Sequence, residues 1–360
     1  MLQLKDIDLV QFRNYTNHHP MFRERIVAIC GLNGTGKTNL LDAIYYLGFS
    51  RSYFARTDAQ NVQHGKQGMR LSGNFIKNDQ EEEVTFILRE NNKKELLVNN
   101  ESYKKISDHI GKFPCVMIAP DDVELIAGPG EVRRKFIDSI LSQTNRDYLT
   151  QLIAYNKILQ QRNSLLKQMA EQPLTGNDLL EVYNEQLINS GNYIHQIRKQ
   201  FLTAFLPLVG ENYTNIAGKI EDLQLAYESQ LLSISFKEIL AENFTKDKVL
   251  QRTSRGVHRD DIGIYLNDCP FKSEASQGQR KSLLFALRLA EWDYLKNSIG
   301  IPPILLLDDV FEKLDESRMA HLLDQVCGNH FGQVFITDTH ADRIKEKLDQ
   351  TGSPYQLILL

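Results

Sequence analysis

The stretch Gly31-Leu32-Asn33-Gly34-Thr35-Gly36-Lys37-Thr38 decides the fold of this chain. An apolar run, Ile26–Cys30, precedes it, and residues 39–47 after it have helical character. This spacing is typical of a phosphate-binding loop, whose glycines let the backbone turn so that N–H groups and the positive end of the next helix converge on phosphate oxygens. We therefore predict an α/β fold in which Lys37 reaches the β- and γ-phosphates of ATP and the Thr38 hydroxyl holds Mg²⁺.

A second signal comes much later in the chain. Ile304–Leu307 is fully apolar and is followed by two adjacent carboxylates, Asp308 and Asp309. A buried parallel strand with acids at its carboxyl end is where an α/β sheet binds its ligand. Without the phosphate-binding loop, an ordinary turn after a core strand would explain the pair equally well. With that loop, we predict that Asp308 contributes to the Mg²⁺ shell and that Asp309 polarises the attacking water.

A third signal is a predicted helix start, Ser276-Gln277-Gly278-Gln279-Arg280-Lys281. Serine and glycine at a free helix N-terminus are typical of an anion site, although the stretch taken alone would be a routine helix cap. Ahead of Asp308, it resembles the signature loop of ATP-binding-cassette (ABC) ATPases. That resemblance implies that Ser276, Gln277, Gly278 and Gln279 cover the γ-phosphate bound by a second subunit, so that the protein is a homodimer with ATP.

The same resemblance gives roles to further segments. His340 follows the apolar start of the run Phe335-Ile336-Thr337-Asp338-Thr339-His340 and lies where a histidine senses the γ-phosphate, the alternative being a structural histidine. Leu314-Asp315 lies where a dimer-contact loop is expected. Pro120-Asp121-Asp122 stands where the glutamine between the two lobes is expected, so an acid would do its work. Asp309 replaces the usual, longer glutamate, and we expect slow hydrolysis.

The chain contains two kinds of segment. Residues 1–118 have short alternating or apolar runs separated by Asn, Gly and Asp, which predicts strands that include an antiparallel β flap. In residues 123–208 the apolar positions recur with helical spacing, and the stretch 171–177 divides this region into at least two long antiparallel helices. Polar side chains predict that this arm is exposed around Gln160, Gln161, Arg162 and Asn163.

Together these signals predict an ABC-type P-loop ATPase head. It would have a mixed sheet around the P-loop helix, an antiparallel β flap and an inserted α-helical arm. Residues 1–118 and 228–360 would form ATPase lobe I, and residues 119–227 the helical lobe II or arm. The signature motif, 276–281, would lie at the lobe interface.

Composition limits the class of protein. The 360 residues are 42% hydrophobic and 24% charged, as in a soluble globular protein. No apolar run approaches the about 20 residues that a membrane span needs, and the N-terminus has no signal-peptide pattern, so no membrane partner is expected. The cysteines have no metal-binding spacing and are expected to be reduced, buried thiols of a cytoplasmic protein; they are Cys30, Cys115, Cys269 and Cys327.

The net charge of −4 does not decide whether DNA is a partner. Nucleic-acid binding depends on how charge is distributed, and basic residues cluster at 133–135 and at positions 252, 255 and 259. We predict that Arg133 and Arg134, at the root of the arm, contact the DNA backbone. The alternative is that they pair with the acids at positions 121–124.

Read as a whole, the chain resembles the RecF family of bacterial recombination-mediator ATPases. Chromosome-structure ATPases and RecN-like proteins insert long coiled coils between P-loop and signature, whereas the intervening chain is short here. Transporter ATPases typically have Leu-Ser-Gly-Gly-Gln and Asp-Glu where this chain has Ser276–Gln279 and Asp308-Asp309. The segments that carry the resemblance cover nearly the whole chain: residues 9–15, 31–39, 51–53, 119–122, 133–138, 258–261, 276–282 and 305–315.

The RecF resemblance implies a function. Two subunits joined by ATP would bind duplex DNA and junctions of single- and double-stranded DNA without reading sequence. They would help RecR and RecO place RecA at gaps, in recombinational repair, replication restart and the SOS response. Hydrolysis of ATP, with Mg²⁺, would be slow and stimulated by DNA.

Other classes stay open at this point. Another ABC- or SMC-type head would have the same site and a different partner, and a signalling NTPase would use the P-loop without a signature-mediated dimer. A structural protein with a vestigial site would bind ATP without turnover. A GTPase would need [NT]-K-x-D, and Thr245-Lys246-Asp247-Lys248 has its acid one position too early, so ATP is preferred.

Overall fold

The computed structural model describes residues 1–171, 177–309, 316–328 and 331–360. The chain forms two compact units. Unit 1 consists of Met1–Asp122, Asn215–Gly218 and Lys281–Leu360, and unit 2 consists of Val123–Thr214 and Lys219–Arg280.

Strands and helices occur in the order expected of an α/β chain with a helical insertion. The strands are β1 (Leu2–Phe12), β2 (Tyr15–His18), β3 (Ile26–Cys30), β4 (Met69–Lys77), β5 (Gln80–Leu88), β6 (Lys94–Val98), β7 (Glu101–Ser102), β8 (Cys115–Ile118), β9 (Leu223–Glu228), β10 (Asp261–Leu266), β11 (Cys269–Pro270), β12 (Ile304–Leu307), β13 (Val334–Asp338) and β14 (Tyr355–Leu359). The helices are α1 (Lys37–Phe49), α2 (Glu124–Ala127), α3 (Gly130–Thr144), α4 (Arg146–Glu171), α5 (Asn177–Ala217), α6 (Phe236–Glu242), α7 (Phe244–Leu250), α8 (Phe271–Glu274), α9 (Gln277–Ile299), α10 (Glu316–Cys327) and α11 (Ala341–Thr351).

An antiparallel sheet in the order β2-β1-β4-β5-β6-β7 forms the flap of unit 1. Strand β1 shows why it forms: Leu2 and Leu4 are buried, and after a register shift the buried positions continue at Ile7 and Leu9. A side-chain period of two puts one face of such a strand on the core, and the bulge keeps the apolar residues on that face. The predicted antiparallel flap is confirmed.

A parallel sheet in the order β14-β3-β13-β12-β8 completes the framework of unit 1. Every residue of β3, β12 and β13 is buried, as expected for strands covered on both faces. Helix α1 packs against strands of both sheets, and most of its side chains are buried. Because β3, β13 and β12 are parallel neighbours, the residues that follow them lie at one edge of the sheet.

Unit 2 contains the predicted pair of long antiparallel helices. Arg162 of α4 donates to Asn184 of α5 near one end of the pair, and Arg198 of α5 donates to Tyr148 of α4 near the other end. A small antiparallel sheet in the order β11-β10-β9 belongs to the same unit. The dividing stretch lies partly outside the described residues.

The expectation that the arm is exposed around residues 160–163 is wrong at Arg162. Its side chain is fully buried and lies 2.9 Å from Asp247 and 2.7 Å from Thr253. Asn163 accepts hydrogen bonds from Thr253, because α7 and the segment after it cover this face of α4. Gln160 and Gln161 are exposed, as predicted.

Unit 2 also includes residues 228–280, which the sequence assigned to lobe I. Strands β9 and β10 pair along their whole length, so the segment after residue 228 folds back onto the helical insertion. We therefore place the boundary differently from the sequence prediction. That the two units act as the two ATPase lobes, with the signature motif at their interface, stays a prediction.

The four cysteines are free thiols, and three of them are buried. Cys269 is exposed, which corrects the expectation that all four are buried. It lies in β11, a two-residue strand at the edge of its sheet. Among the described residues, no helix has the length and apolar character needed to cross a membrane.

Candidate nucleotide site

The loop between β3 and α1 is braced by the turn between β1 and β2. Asn14 donates to the carbonyl oxygen of Thr35 at 3.0 Å, and the Tyr15 hydroxyl donates to that of Gly36 at 3.1 Å. Gly36 has φ of 114°, and a Cβ there would lie 2.6 Å from both the Asn14 amide nitrogen and the Tyr15 hydroxyl. The turn therefore supports the loop and requires glycine at position 36. In the sequence, no local signal places Asn14 and Tyr15 at the site.

An ion pair between the half-buried Arg13 and the buried Asp42 extends this brace into α1. Arg13 donates to Asn39 at 2.9 Å and to Asp42 at 2.7 Å, and Asn39 donates to Asn14 at 2.7 Å. Burial raises the pKa of Asp42, and the Arg13 guanidinium opposes that shift. Ser52 and the Tyr53 backbone N–H also donate to Asp42. The P-loop helix is thus held by the strand turn on one side and by the segment after α1 on the other.

Lys37 and Thr38 occupy the first turn of α1. The Lys37 ammonium donates to the carbonyl oxygens of Gly31 at 2.9 Å and Leu32 at 3.2 Å. Its amine therefore lies over the loop that is expected to hold phosphates. The N–H groups of the first helical turn have no partner within the helix, so they are available to an anion.

Asp308 meets Thr38 at the carboxyl edge of the parallel sheet. The Thr38 hydroxyl lies 2.9 Å from one carboxylate oxygen of Asp308 and 3.0 Å from the other, and the Thr337 hydroxyl donates to the same carboxylate at 2.9 Å. Burial raises the pKa of Asp308 to about 6, and hydrogen bonds from Thr337 and Thr38 oppose that shift. These oxygens are the kind of ligand that Mg²⁺ prefers, so the donor set fits the ion.

Asp309 is positioned through the same threonine. Its backbone N–H donates to the Thr337 hydroxyl at 2.8 Å, and its φ of 43° lies in the left-handed region. Thr337 therefore links both carboxylate residues. Thr337 belongs to the C-terminal motif 335–340, but the sequence alone indicates no role for it, because its partners follow a different strand, β12.

His340 lies at the same edge of the sheet, just before α11. Its backbone N–H donates to Asp338 at 2.7 Å, and Asp338 is bound by Arg343. The His340 side chain is exposed. Its location agrees with the predicted γ-phosphate sensor, and that role stays a prediction.

The position of the missing glutamine is occupied by a buried ion pair within unit 1. Asp122 accepts a hydrogen bond from the Ala119 N–H and lies 3.0 Å from Arg288 of α9, which also binds Glu291 at 2.8 Å. The Tyr53 hydroxyl contacts both Asp122 and Arg288. Asp122 is therefore committed to α9, and of the two adjacent acids only Asp121 is exposed.

The signature residues form a reciprocal cap at the start of α9. The Gln279 N–H donates to the Ser276 hydroxyl at 3.2 Å, and the Ser276 N–H donates to the Gln279 side-chain oxygen at 2.8 Å. The Gln279 amide also donates to Glu221 at 3.1 Å, and Ser276 and Gln277 are exposed. These residues belong to unit 2, and their contact with a nucleotide of a second subunit stays a prediction.

Arg133 and Arg134 are both engaged within unit 2. Arg133 binds both carboxylate oxygens of Asp261, at 2.7 and 2.8 Å, and donates to the carbonyl oxygens of Leu125 and Gly128. Arg134 donates to the carbonyl oxygen of Asp260. The acids at positions 121–124 are not their partners in these contacts. DNA contact through this pair stays a prediction, and it would compete with these bonds.

Comparisons with known proteins agree over nearly the whole chain. A family model described as the RecF/RecN/SMC N terminal domain matches residues 3–353. The chain is 42% identical over 359 residues to the DNA replication and repair protein RecF of Flavobacterium johnsoniae, with 100% of both chains covered. The chain belongs to the RecF family. A RecF from Bacteroides fragilis is 39% identical over 355 residues, 98% of this chain and 95% of that relative.

Solved structures give the same fold. The structure of the recombination mediator protein RecF with ATP has a TM-score of 0.87 at 31% identity and covers 94% of this chain and 92% of its own. An Smc head domain from Pyrococcus furiosus has a TM-score of 0.56 at 14% identity, over 96% of this chain and 92% of that chain, and shows the fold alone. The predicted α/β ABC-type head is confirmed for this RecF-family chain. The expected dimer-contact loop at Leu314-Asp315 lies outside the described residues.

Proposed function

We propose that this RecF-family chain is a DNA-binding ATPase of recombinational repair. It binds ATP with Mg²⁺, forms a homodimer in that state, and engages duplex DNA and junctions of single- and double-stranded DNA without reading sequence. Membership in the RecF family supports ATP hydrolysis and a part in DNA replication and repair. Slow turnover and its stimulation by DNA are part of the proposal.

The main support for the proposal is the contact between the side chains of Thr38 and Asp308. These two residues come from motifs at opposite ends of the chain, and their oxygens lie 2.9 Å apart. A hydroxyl from a P-loop and a carboxylate from a strand end together provide hard oxygen ligands next to the phosphate cradle. When bound there, Mg²⁺ would neutralise charge on the phosphates.

The other site residues take complementary roles. Backbone N–H groups of residues 31–38 hold the phosphates, and Lys37 exchanges its carbonyl contacts for the β- and γ-phosphates. Asp309 orients the attacking water, and His340 senses the γ-phosphate. Asp309 is shorter than the usual glutamate, so its carboxylate holds water less closely and turnover is slow.

The dimer supplies the remaining contacts. Ser276, Gln277, Gly278 and Gln279 of one subunit cover the γ-phosphate held by the other, which makes ATP part of the interface. The exposed Ser276 and Gln277 support this role, because a ligand from outside the subunit can reach them. RecR and RecO are the proposed partners in placing RecA at gaps, during replication restart and the SOS response, in the cytoplasm.

The alternative of a guanine-reading signalling NTPase has no structural support. Asp247, the acid of the Thr245–Lys248 stretch, is buried and paired with Arg162 at 2.9 Å. A base-reading carboxylate would have to be open to the nucleotide. The site's oxygen ligands support binding of ATP with Mg²⁺, and a turnover measurement distinguishes a working ATPase from a vestigial one.

ATP turnover with and without duplex DNA tests the proposal. We expect slow turnover by the wild-type chain that rises when DNA is added. Lys37→Arg is the matched variant, and it should bind some ATP without turnover. If the wild-type chain binds ATP but hydrolyses none in either condition, the vestigial alternative is correct.

A further inference from the structure

A short segment of unit 2 presents three arginines to solvent. It comprises residues 251–260, directly after α7, and we call it the arginine loop. Arg252, Arg255 and Arg259 are exposed. Among the described residues, none of these three forms an ion pair with an acid. The loop therefore carries three cations that form no ion pair within the described part of unit 2.

The acids that lie close to these arginines in the sequence already form ion pairs with other arginines. Asp247 binds the buried Arg162. Asp260 binds Arg198, which is also buried, and accepts from the Tyr227 hydroxyl. Each of these carboxylates already has a charged partner and further hydrogen bonds. Asp261, likewise, accepts two bonds from Arg133. In the part of the chain that the structure describes, these acids therefore form no ion pair with the three exposed arginines of the loop.

The first half of the loop is fixed to buried groups. Thr253 is buried, its N–H donates to Asn163 at 2.7 Å, and its hydroxyl accepts from Arg162 at 2.7 Å. The Ser254 N–H and hydroxyl both donate to Asp247, at 2.8 and 2.7 Å. Residues 253 and 254 are therefore anchored between Arg252 and Arg255.

The second half is fixed in the same way. Arg198 donates to the carbonyl oxygen of Val257 at 2.7 Å. His258 lies between the Tyr155 hydroxyl and the carbonyl oxygen of Thr253, and burial lowers its pKa to about 4, so it is neutral at pH 7. Gly256, with φ of 129°, packs where a Cβ would lie 2.7 Å from the Phe236 ring. The backbone that carries Arg255 and Arg259 has little freedom to move.

A further arginine, Arg134, lies beside the loop and donates to the carbonyl oxygen of Asp260. Burial lowers the pKa of Arg134, and the nearby charges of Arg198 and Arg259 act in the same direction, while Asp261 and Asp260 oppose them. The positive charges of Arg134 and Arg259 thus repel each other. Like charges held close together on a fixed backbone favour an anionic partner that neutralises them.

We propose that the arginine loop is a binding surface for the phosphate backbone of DNA. The inference rests on the proposed DNA-binding function and identifies where unit 2 makes its contact. Guanidinium groups bind phosphate in two-pronged geometry, and a loop that is already ordered loses little entropy on binding. The contact is to phosphates, so it carries no sequence preference. It adds three exposed cations to the predicted contact of Arg133 and Arg134, which would first have to break their bonds within unit 2.

The test compares two variants that remove the same charge. The loop variant carries Arg252→Gln, Arg255→Gln and Arg259→Gln. The control variant neutralises three exposed lysines elsewhere in unit 2: Lys157→Gln, Lys167→Gln and Lys237→Gln. Affinity for a duplex is measured by fluorescence anisotropy, with ATP present, between about 50 and 200 mM salt. Thermal unfolding and ATP binding are measured for each variant.

We expect the loop variant to lose affinity at least about tenfold and to show a shallower salt dependence. Each lost phosphate contact reduces the magnitude of the negative slope of log K against log salt by about 0.9, so the loss of three contacts reduces it by about 2 to 3. The control should keep the wild-type slope. If the loop variant folds poorly, the single variant Arg255→Gln replaces it in the test. The magnitude of its salt slope should then fall by about 0.9.

The outcomes separate this inference from the proposed function. Equal affinity and slope in the wild type and the folded loop variant would overturn the inference and leave DNA binding intact. Equal losses in the loop and control variants would also overturn it, because net charge would then explain the effect. A wild-type chain that binds no DNA with ATP would overturn the proposed function itself.

Discussion

The Thr38 hydroxyl lies 2.9 Å from the carboxylate of Asp308, although 270 positions separate the two residues in the chain. Strand β3 ends just before the P-loop and β12 ends just before Asp308, and β13, which lies between them, contains Thr337. The parallel register therefore brings three distant segments to one edge. The arrangement places a hydroxyl and a carboxylate side by side as hard oxygen ligands for a Mg²⁺-nucleotide site.

Gly36→Ala should weaken ATP binding, because the added Cβ would lie 2.6 Å from Asn14 and Tyr15 and the φ of +114° disfavours a side chain. We expect a loss of about tenfold or more, since strain of about 1 to 3 kcal/mol falls on the loop. Gly34→Ala is the matched control: its φ is also positive, at +86°, but nothing lies within 4 Å of the added Cβ. Titration with a fluorescent ATP analogue measures both. Equal losses would mean that strain alone, without the brace, explains the requirement for glycine.

Asp309→Asn should trap a dimer in the presence of ATP. The amide keeps the size of the side chain but no longer attracts the proton of the attacking water, so ATP stays bound. Sedimentation with and without ATP measures the assembly state, and the wild-type chain under the same conditions is the control. A monomer in both conditions would contradict the dimer mechanism.

Arg133→Gln should lower the free energy of unfolding by about 2 kcal/mol, because the charged hydrogen bonds to Asp261 are lost. Lys135→Gln is the control, since Lys135 is exposed and pairs with Glu131, which is also exposed. Urea denaturation measures both variants. If the folded Arg133→Gln variant also loses DNA affinity and salt slope, the DNA-contact role predicted for Arg133 is correct as well.

Arg162→Met should be more damaging than a surface change on the same helix. Its guanidinium and the Asp247 carboxylate are both buried, and removing one partner leaves the other charge without compensation. The expected loss of unfolding free energy is about 3 to 5 kcal/mol. Lys167→Met, at an exposed position of α4, should stay within about 0.5 kcal/mol of the wild type. If Arg162→Met is as mild as this control, the pair does not stabilise the arm.

Acid should destabilise the flap region through His109. Burial lowers its pKa from 6.5 to about 4, and its ring bonds to the Leu47 carbonyl oxygen at 2.6 Å. The unfolded chain therefore binds a proton that the folded chain does not, and stability falls as pH decreases from about 6.5 to 4. In His109→Gln the fall over this range should be smaller by about 3 kcal/mol. His64→Gln, at an exposed histidine, should follow the wild-type curve.

Local sequence patterns were sufficient to predict several features of the fold and of the site. The spacing of Gly31, Gly34, Gly36, Lys37 and Thr38 is a local requirement of phosphate binding, so it can be recognised without the fold. The apolar run before Asp308 marks a buried strand in the same way. Alternating and helical periodicity correctly predicted short strands in residues 1–118 and the helical pair after them, because both signals repeat within a few residues.

Side-chain partners were decided only by the tertiary structure. Asn14 and Tyr15 brace the P-loop, Thr337 links Asp308 with Asp309, and Arg162 is buried by a segment far along the chain. In the sequence these residues are ordinary polar positions, and nothing local says which of them meet. Long-range strand register and helix packing decide that, and they also decide which arginines are paired and which are left open to a partner.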